Sequence, residues 1–570
     1  MRVRDRFEYG LCQLEMSRLT RLVGVGALLF AVLGLAVNDA NADTKGKVLY
    51  GKLTYDRVPS TLENGLDYSA VVKKPIRNVR VVLVEYSKEG TSRELATTIS
   101  AEDGSYSFPV PDLVTRVRVR AFAETTNPPL RVQDNTNGDA LYVLESAAIT
   151  TTAAVTVKDL NAGSGWGGSS YTGARAAAPF ANLDTLYAAG RAFIAVRPQV
   201  NFPLLPINWS VNNRPEPGDI ALGQIDTSHY NRRLGGIFIL GKADVDTDEY
   251  DAHVMVHEWG HYFENKLGRS DSIGGNHGSG DILDPRVAFG EGWGNALSAM
   301  ILFPDAKYRD TGGIRQGETT LIIDMETNDS DNPVPGWFTE ASVQSVLYDL
   351  FDPLNEPFDN VALGLGPIYD VMTGPQKFTP AVTSIFSFIA ALKAVPGTSA
   401  ATIAAIDTLT SKSRMGPIQD AFGTGETNNG GSAANLPVFR QMTVGGDSQT
   451  LTFLAHVDNE NRLGANRFIR FTSPTAGPVQ VIANSSNDIG LDLFEDGTRI
   501  AGADNVISGT EQFSFIAKAN KVYVLTVHSF VTNSRGEYTA SVRIASGNVA
   551  AKATTVKLKA KAVRQAFSTP

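Results

Sequence analysis

The chain reads as a multidomain protein in which a mixed α+β domain lies between two all-β sandwiches. Three observations predict this arrangement. Residues 46–160 and 440–546 carry strand-like alternation, residues 180–435 carry helical spacing, and Gly- and Ser-rich stretches stand near the changes of pattern. A chain of 570 residues also exceeds what one hydrophobic core supports.

Residues 1–42 have the form of a signal peptide. Arg18 and Arg21 precede the uncharged apolar run Leu22–Val37, and Ala40-Asn41-Ala42 follows as a small-x-small cleavage site. Met16 is an alternative start. A membrane span needs about 20 apolar residues, so the shorter run predicts export with no span left after cleavage, an uncleaved anchor being the alternative. The only cysteine is Cys12, inside this leader. Disulfides and cysteine catalysis are therefore excluded from the mature chain. A net charge of −9 and the lack of any nucleic-acid motif argue against a nucleic-acid binder.

In the first β region, Lys47–Tyr55, Arg77–Tyr86 and Val114–Ala123 are rich in Val and Tyr, and Arg116–Ala121 alternates strictly. Asp103-Gly104 predicts a hairpin between Thr97–Ser100 and Ser105–Pro109. These segments resemble the transthyretin-like, carboxypeptidase-regulatory-like module. Residues 161–179, with the run GSGWGGSSYTG, read as a linker. Helices are expected over Ala178–Val196, Asp248–Leu267, Arg286–Leu302, Glu340–Phe351, Thr379–Val395 and Ser399–Ser411. Gly268 is placed to stop the second of these in a left-handed turn. Asn428–Ala434 reads as a second linker. Strands then return at Arg467–Thr472, Val479–Ala483, Leu491–Phe494, Gln512–Ile516, Val522–Val527 and Tyr538–Ile544. The run from Leu491 to Gly497, with Val522–Val527 and Gly536-Glu537-Tyr538-Thr539, resembles the bacterial pre-peptidase C-terminal domain. Residues 547–570 form a basic, low-complexity tail.

The chemistry is concentrated in His257-Glu258-Trp259-Gly260-His261. Two histidines at i and i+4 lie about 40° apart around a helix, so both imidazoles reach one zinc ion. Glu258 sits at the edge of that face, where it takes a proton from water without ligating the metal. A catalytic zinc needs a third protein ligand. In Gly290-Glu291-Gly292-Trp293-Gly294-Asn295 one carboxylate stands on an apolar face lined by glycines. Buried there, Glu291 must be paired or metal-bound, either as the third ligand or as a partner of a cation such as Arg286.

HExxH followed by Gly-Glu-Gly-Trp on the next helix resembles the gluzincin metallopeptidases, the thermolysin-like clan, and within it fungalysin most. The resemblance covers roughly residues 180–435. It implies a zincin-like catalytic domain, a peptide or protein substrate, and an edge strand that pairs with that substrate. The candidate strand is Ile237–Gly241, with Ile237, Phe238 and Ile239 against the peptide. Two departures from the family stand out. Asn295 replaces an Asp that backs a zinc-bound histidine, which predicts a more Lewis-acidic zinc. His253 replaces an Asp four residues before the first ligand, as a cleft-wall or outer-shell residue, or as a rival ligand.

The oxyanion donor is left open between His277 in a Gly-rich loop, Tyr348 and the Trp337 indole. Asp244, Asp246, Asp248, Glu249 and Asp251 read either as a solvated helix start or as oxygen ligands for calcium. The reading is a secreted zinc endopeptidase. Its alternatives are an aminopeptidase anchored by an acid such as Glu340, and a secreted binding or adhesion protein whose zincin fold is inactive.

Overall fold

A computed structural model describes residues 46–86, 91–278, 280–327, 334–353, 359–457 and 460–547. The signal peptide, with Cys12, lies outside the described residues, as does the basic tail beyond residue 547. Among the described residues the chain is a multidomain, mixed α+β protein with seven α-helices. No helix among them is long and apolar enough to cross a membrane.

The N-terminal part forms two facing sheets. In one, Lys47–Arg57 pairs antiparallel with Ser105–Val110 and Val72–Pro75, and parallel with Val155–Val157 and Leu160–Ala162. The other is ten-stranded and does not stop at the expected domain boundary. Its path runs Ser92–Ile99, Val79–Tyr86, Arg116–Thr126, Pro129–Asp134, Leu205–Trp209, Gly236–Ile239, His229–Asn231. Pro129–Asp134 lies parallel to Leu205–Trp209, with Leu130 opposite Leu205 and Val132 opposite Ile207, all buried. The sheet thus joins the first β region to the central part, and one continuous hydrophobic core spans both.

Two local expectations change for this reason. Asp103-Gly104 does turn the chain, with Gly104 at φ +79°. The strands on either side of it enter different sheets, however, so the turn is a corner and not a hairpin. Residues 161–179, the expected linker, are packed at both ends, around an exposed stretch at 167–170 and 172–174. Trp166 stacks on Tyr68 at 3.8 Å, and Arg175 is buried against Glu249.

The helices are α1 (Ala177–Val196), α2 (Ala252–Lys266), α3 (Pro285–Leu302), α4 (Glu340–Asp349), α5 (Leu365–Thr373), α6 (Ile385–Lys393) and α7 (Ala400–Lys412). Helix α5 has no counterpart in the sequence reading. Helix α6 starts later than Thr379, because Ser384 and Ser387 form a capping box. Helix α2 ends without a left-handed Gly268. A Cβ there would instead meet the Met372 carbonyl at 3.2 Å, so this glycine serves close approach.

The C-terminal region is a sandwich of a five-stranded and a four-stranded sheet. Phe453, Phe471, Val481, Leu493, Leu525 and Val542 fill its own core. It is docked on the central part through the segment that enters α3. Asp284 N–H donates to the Asn461 carbonyl at 2.7 Å, Leu463 N–H to the Ile282 carbonyl at 3.0 Å, and Arg462 pairs with Asp281 at 2.7 Å.

Candidate metal centre

Helices α2 and α3 pack face to face at glycines. A Cβ on Gly260 would lie 3.1 Å from the Gly294 Cα, and one on Gly294 would lie 2.8 Å from Nδ1 and Cε1 of His257. Behind the site, Trp259 and Phe263 stack on Phe193, and the Trp293 indole donates to the Gly260 carbonyl at 3.2 Å. The His257 ring therefore has a hard wall on one side and no room to retreat. Replacing Gly294 by Ala is expected to lower affinity for a divalent ion about 10–100-fold, the range for changes beside a ligand. A zinc titration against a competing chelator reads this, and unchanged affinity would show that the ring can move.

Three donor atoms converge at this contact. His257 Nε2 and His261 Nε2 are 3.0 Å apart, and Glu291 Oε2 lies 3.4 Å from the first and 3.2 Å from the second. Bonds of about 2.0–2.1 Å to one tetrahedral ion put donors about 3.3 Å apart, so the triangle fits such an ion. The ring orientations agree. His257 Nδ1–H donates to Asn295 Oδ1 at 2.7 Å, which leaves Nε2 as the acceptor. Asn295 is itself held by its amide donating to Gln344 Oε1 at 2.8 Å. Burial disfavours charge on both members of the His261–Glu291 pair, yet their attraction prevails. Desolvation pulls the His261 imidazole down, but Glu291 and then Glu264 raise its pKa well above the ordinary value. Burial raises the Glu291 carboxyl, but His277 and His261 bring it well below its own.

Glu264 was not anticipated. It sits one turn beyond His261 on α2, 1% exposed, with Oε2 3.7 Å from His261 Nδ1. A buried carboxylate behind one histidine offsets the neutral Asn295 behind the other. The signal was present in the sequence as an acid three residues after the second histidine.

Glu258 Oε1 lies 4.0 Å from His257 Nε2, beside the donor triangle and not part of it. Its Oε2 accepts the Tyr230 backbone N–H at 2.6 Å. That contact corrects the strand expected to meet a peptide. Gly236–Ile239 is covered on both sides, by Leu205–Trp209 and by His229–Asn231, and Ile237, Phe238 and Ile239 are buried. The edge of the sheet is His229–Asn231, and it passes directly over Glu258.

His277 is at the site. Its Nε2 is 3.4 Å from Glu291 Oε2, and its Nδ1 is 3.2 Å from Glu340 Oε2. The loop that carries it is held from the C-terminal sandwich, where the Asn461 amide donates to the carbonyls of Gly274 and Asn276 at 3.0 and 3.1 Å. The other two candidates are elsewhere. Tyr348 is fully buried beside Phe351, and the Trp337 indole donates to the Asn428 carbonyl at 2.9 Å. His253 turns from the metal site, with Nε2 3.2 Å from the Asp305 carbonyl and its ring 5.8 Å from Tyr308. Burial lowers its pKa to about 4. It is thus placed neither as a ligand nor as a direct partner of one, because the helix turns it toward the strand that begins at Lys307.

The acidic run before α2 is not a solvated helix start. Asp244 is exposed and accepts the Arg315 N–H at 2.9 Å. Glu249 is buried in a pair with Arg175, and Asp251 accepts the Thr311 N–H and hydroxyl at 3.1 and 2.8 Å. Asp246 and Asp248 join Asp310 instead, with one oxygen of each within 4.8 Å of the others. Burial and then mutual repulsion push Asp246 up to about 7, and burial pushes Asp310 up to about 6.

Two recesses meet at the donor triangle. One is lined by His257, Glu258, His277, Glu291 and Glu340 together with the acidic trio. The other is lined by His229–Arg232, Glu258, His261, Glu264, Glu291 and Ser270–Gly275 apart from Asp271. Glu258 and Glu291 border both.

No family model matches the chain, and no curated protein matches it in sequence. Short parts of it are similar to solved structures. One is the pre-peptidase C-terminal domain of a collagenase from Bacillus anthracis, at 12% identity over 19% of this chain and 93% of that one, with a TM-score of 0.15. A second is PliG, a periplasmic inhibitor of g-type lysozyme from Aeromonas hydrophila, at 15% identity over 19% and 96%, with a TM-score of 0.13. A third is CorA, a surface-associated copper-binding protein of Methylomicrobium album BG8, at 8% identity over 19% and 100%, with a TM-score of 0.15. At these TM-scores none of them defines a fold for the whole chain.

Proposed function

We propose that the protein is a secreted zinc metallopeptidase of gluzincin type that hydrolyses internal peptide bonds. The observation that carries this reading is the triangle of His257 Nε2, His261 Nε2 and Glu291 Oε2, 3.0–3.4 Å on a side, with the Glu258 carboxylate beside it. These three residues would hold the metal. When bound, zinc supplies a Lewis acid that polarises the scissile carbonyl and makes water more acidic.

The residues of the chain divide the remaining work. Glu258 takes a proton from the attacking water through Oε1, while Tyr230 N–H holds its other oxygen. It returns that proton to the leaving amine. His277 points Nε2 toward the reacting centre, and Glu340 fixes it through Nδ1. It is the donor best placed to stabilise a developing oxyanion. The edge strand His229–Asn231 would offer an extended peptide its remaining outward backbone groups, the Tyr230 N–H being held by Glu258.

The two recesses favour an endopeptidase. A chain that crosses the metal has room on both sides of the scissile bond. Glu340, the acid that an aminopeptidase reading would use, is engaged by His277. The central part is accordingly read as a zincin-like catalytic domain whose flanking β regions buttress it.

The test is hydrolysis of an unstructured protein such as casein by the zinc-loaded protein. Activity should vanish with a chelator and return with zinc. Casein left intact by protein shown to hold one zinc would sink the reading.

A further inference from the structure

The recess on the acidic side of the metal centre has a composition that the proposed chemistry leaves unused. Asp248 and Asp310 line it at 2% and 8% exposure, and Asp246 lies beside them. One oxygen of each, Oδ1, accepts no hydrogen bond from the described residues. No Lys or Arg lines the recess. Three carboxylates facing one another without a counter-charge are destabilising, by several kcal/mol per ion when buried. Such a group persists where protons neutralise it or a cation completes it.

The walls indicate which cation. Leu240, Val254, Leu321 and Ile323 line the same recess, so part of its wall is apolar while its acids are grouped. A bare divalent ion such as calcium takes six to eight oxygens, and the side chains of Leu240, Val254, Leu321 and Ile323 add none to those of the trio, Thr227, Ser228 and Tyr308. A Lys or Arg side chain has the complementary character: an apolar stem and a charged head. The recess holds about 90 Å³, more than a single bare ion fills. Glu258, His257 and Glu291 border it, so a side chain that enters it belongs to a residue next to the scissile bond.

We propose that this recess is the specificity pocket of the enzyme, and that it takes the Lys or Arg side chain of a substrate residue adjacent to the cleaved bond. The proposal rests on the peptidase reading above. Asp246, Asp248 and Asp310 are its specificity-determining residues. The apolar walls hold the stem, and the carboxylates hold the ammonium or guanidinium.

The experiment uses peptides with acetylated N-termini and amidated C-termini that differ only in Lys or norleucine beside the cleaved bond. The zinc-loaded enzyme should prefer Lys at least tenfold in kcat/KM. Asp248→Asn and Asp310→Asn should each reduce that ratio at least fivefold. Binding provides a readout without turnover. Glu258→Gln loaded with zinc should bind the Lys peptide at least tenfold more tightly than the norleucine peptide in a calorimeter. Equal cleavage and equal binding of the two peptides would overturn the pocket while leaving the peptidase standing. Tighter binding of the Lys peptide with no cleavage by the wild type would uphold the pocket and overturn the peptidase. A preference for Lys that appears only with a free α-amino group would overturn the side-chain assignment. So would calcium raising the Tm of the wild type, but of neither Asn variant, with no preference for Lys.

Discussion

Glu258→Gln is expected to lower peptide hydrolysis by about 10²–10⁴-fold, the usual contribution of a positioned general base, while zinc stays bound. The carboxylate lies 4.0 Å from His257 Nε2 and outside the donor triangle, so its loss removes no ligand. Gln has the same shape, and its carbonyl oxygen can still accept the Tyr230 N–H that holds Glu258 Oε2 at 2.6 Å. What disappears is the ability to take a proton. Zinc per chain by elemental analysis and the turnover of a quenched fluorescent peptide are the two measurements. A variant that keeps both zinc and rate would remove Glu258 from the mechanism. A wild type that holds zinc yet cleaves nothing would favour the binding-protein alternative, for which Glu258 has no task.

Asp284→Ala should destabilise the protein by about 3–5 kcal/mol, the range for breaking a buried ion pair by removing one partner. Asp284 is 1% exposed and Arg286 3%. They are joined by two hydrogen bonds of 2.8 and 2.9 Å. The same carboxylate accepts the Arg286 backbone N–H as the N-cap of α3 and the Asn466 amide at 3.0 Å from the C-terminal sandwich. The guanidinium lies 5.0 Å over the Phe468 ring and is buried, so its charge is left without its hydrogen-bonded partner once Asp284 is gone. Because α3 also carries Glu291, the loss should reach the metal site and weaken zinc binding. Urea unfolding of the zinc-free protein gives the first quantity, and a zinc titration gives the second. A change below about 1 kcal/mol, the level of an exposed pair, would show that the pair is not structural.

These two sites differ in how far they could be read in advance. Glu258 was legible because its partners lie on the same helix turn, where a period of 3.6 residues fixes geometry locally. Glu291 followed from a different local fact, a single acid on a face of glycines and apolar residues. The Asp284–Arg286 pair is local to the start of α3, but Asn466 and Phe468, which contact it from the C-terminal sandwich, have no sequence relation to it. The same holds for His277. Its Gly-rich loop made it one of three candidates, but Glu340 and Asn461 decide where it points.

Strand pairing shows the limit most clearly. Ile237–Ile239 has the apolar run of a strand, and it is one. Whether a strand is an edge depends on which other segments pair with it, and His229–Asn231 is too short and polar to announce itself. Likewise the alternation in Arg116–Ala121 specified a half-buried strand, but not that its sheet continues into the central part. The acids from Asp244 to Asp251 are neighbours in sequence and read as one cluster. Folding sends Glu249 to Arg175, Asp251 to Thr311, and Asp246 and Asp248 to Asp310.

The sequence by itself therefore determined the strand and helix periods, the donor residues on α2 and α3, and the Glu258 carboxylate beside them, since each depends on residues within a few turns. Only the tertiary structure decided the edge strand, the placement of His277 and the acid-lined recess. These depend on pairings between distant segments, and side-chain periodicity carries no information about which distant segment will arrive.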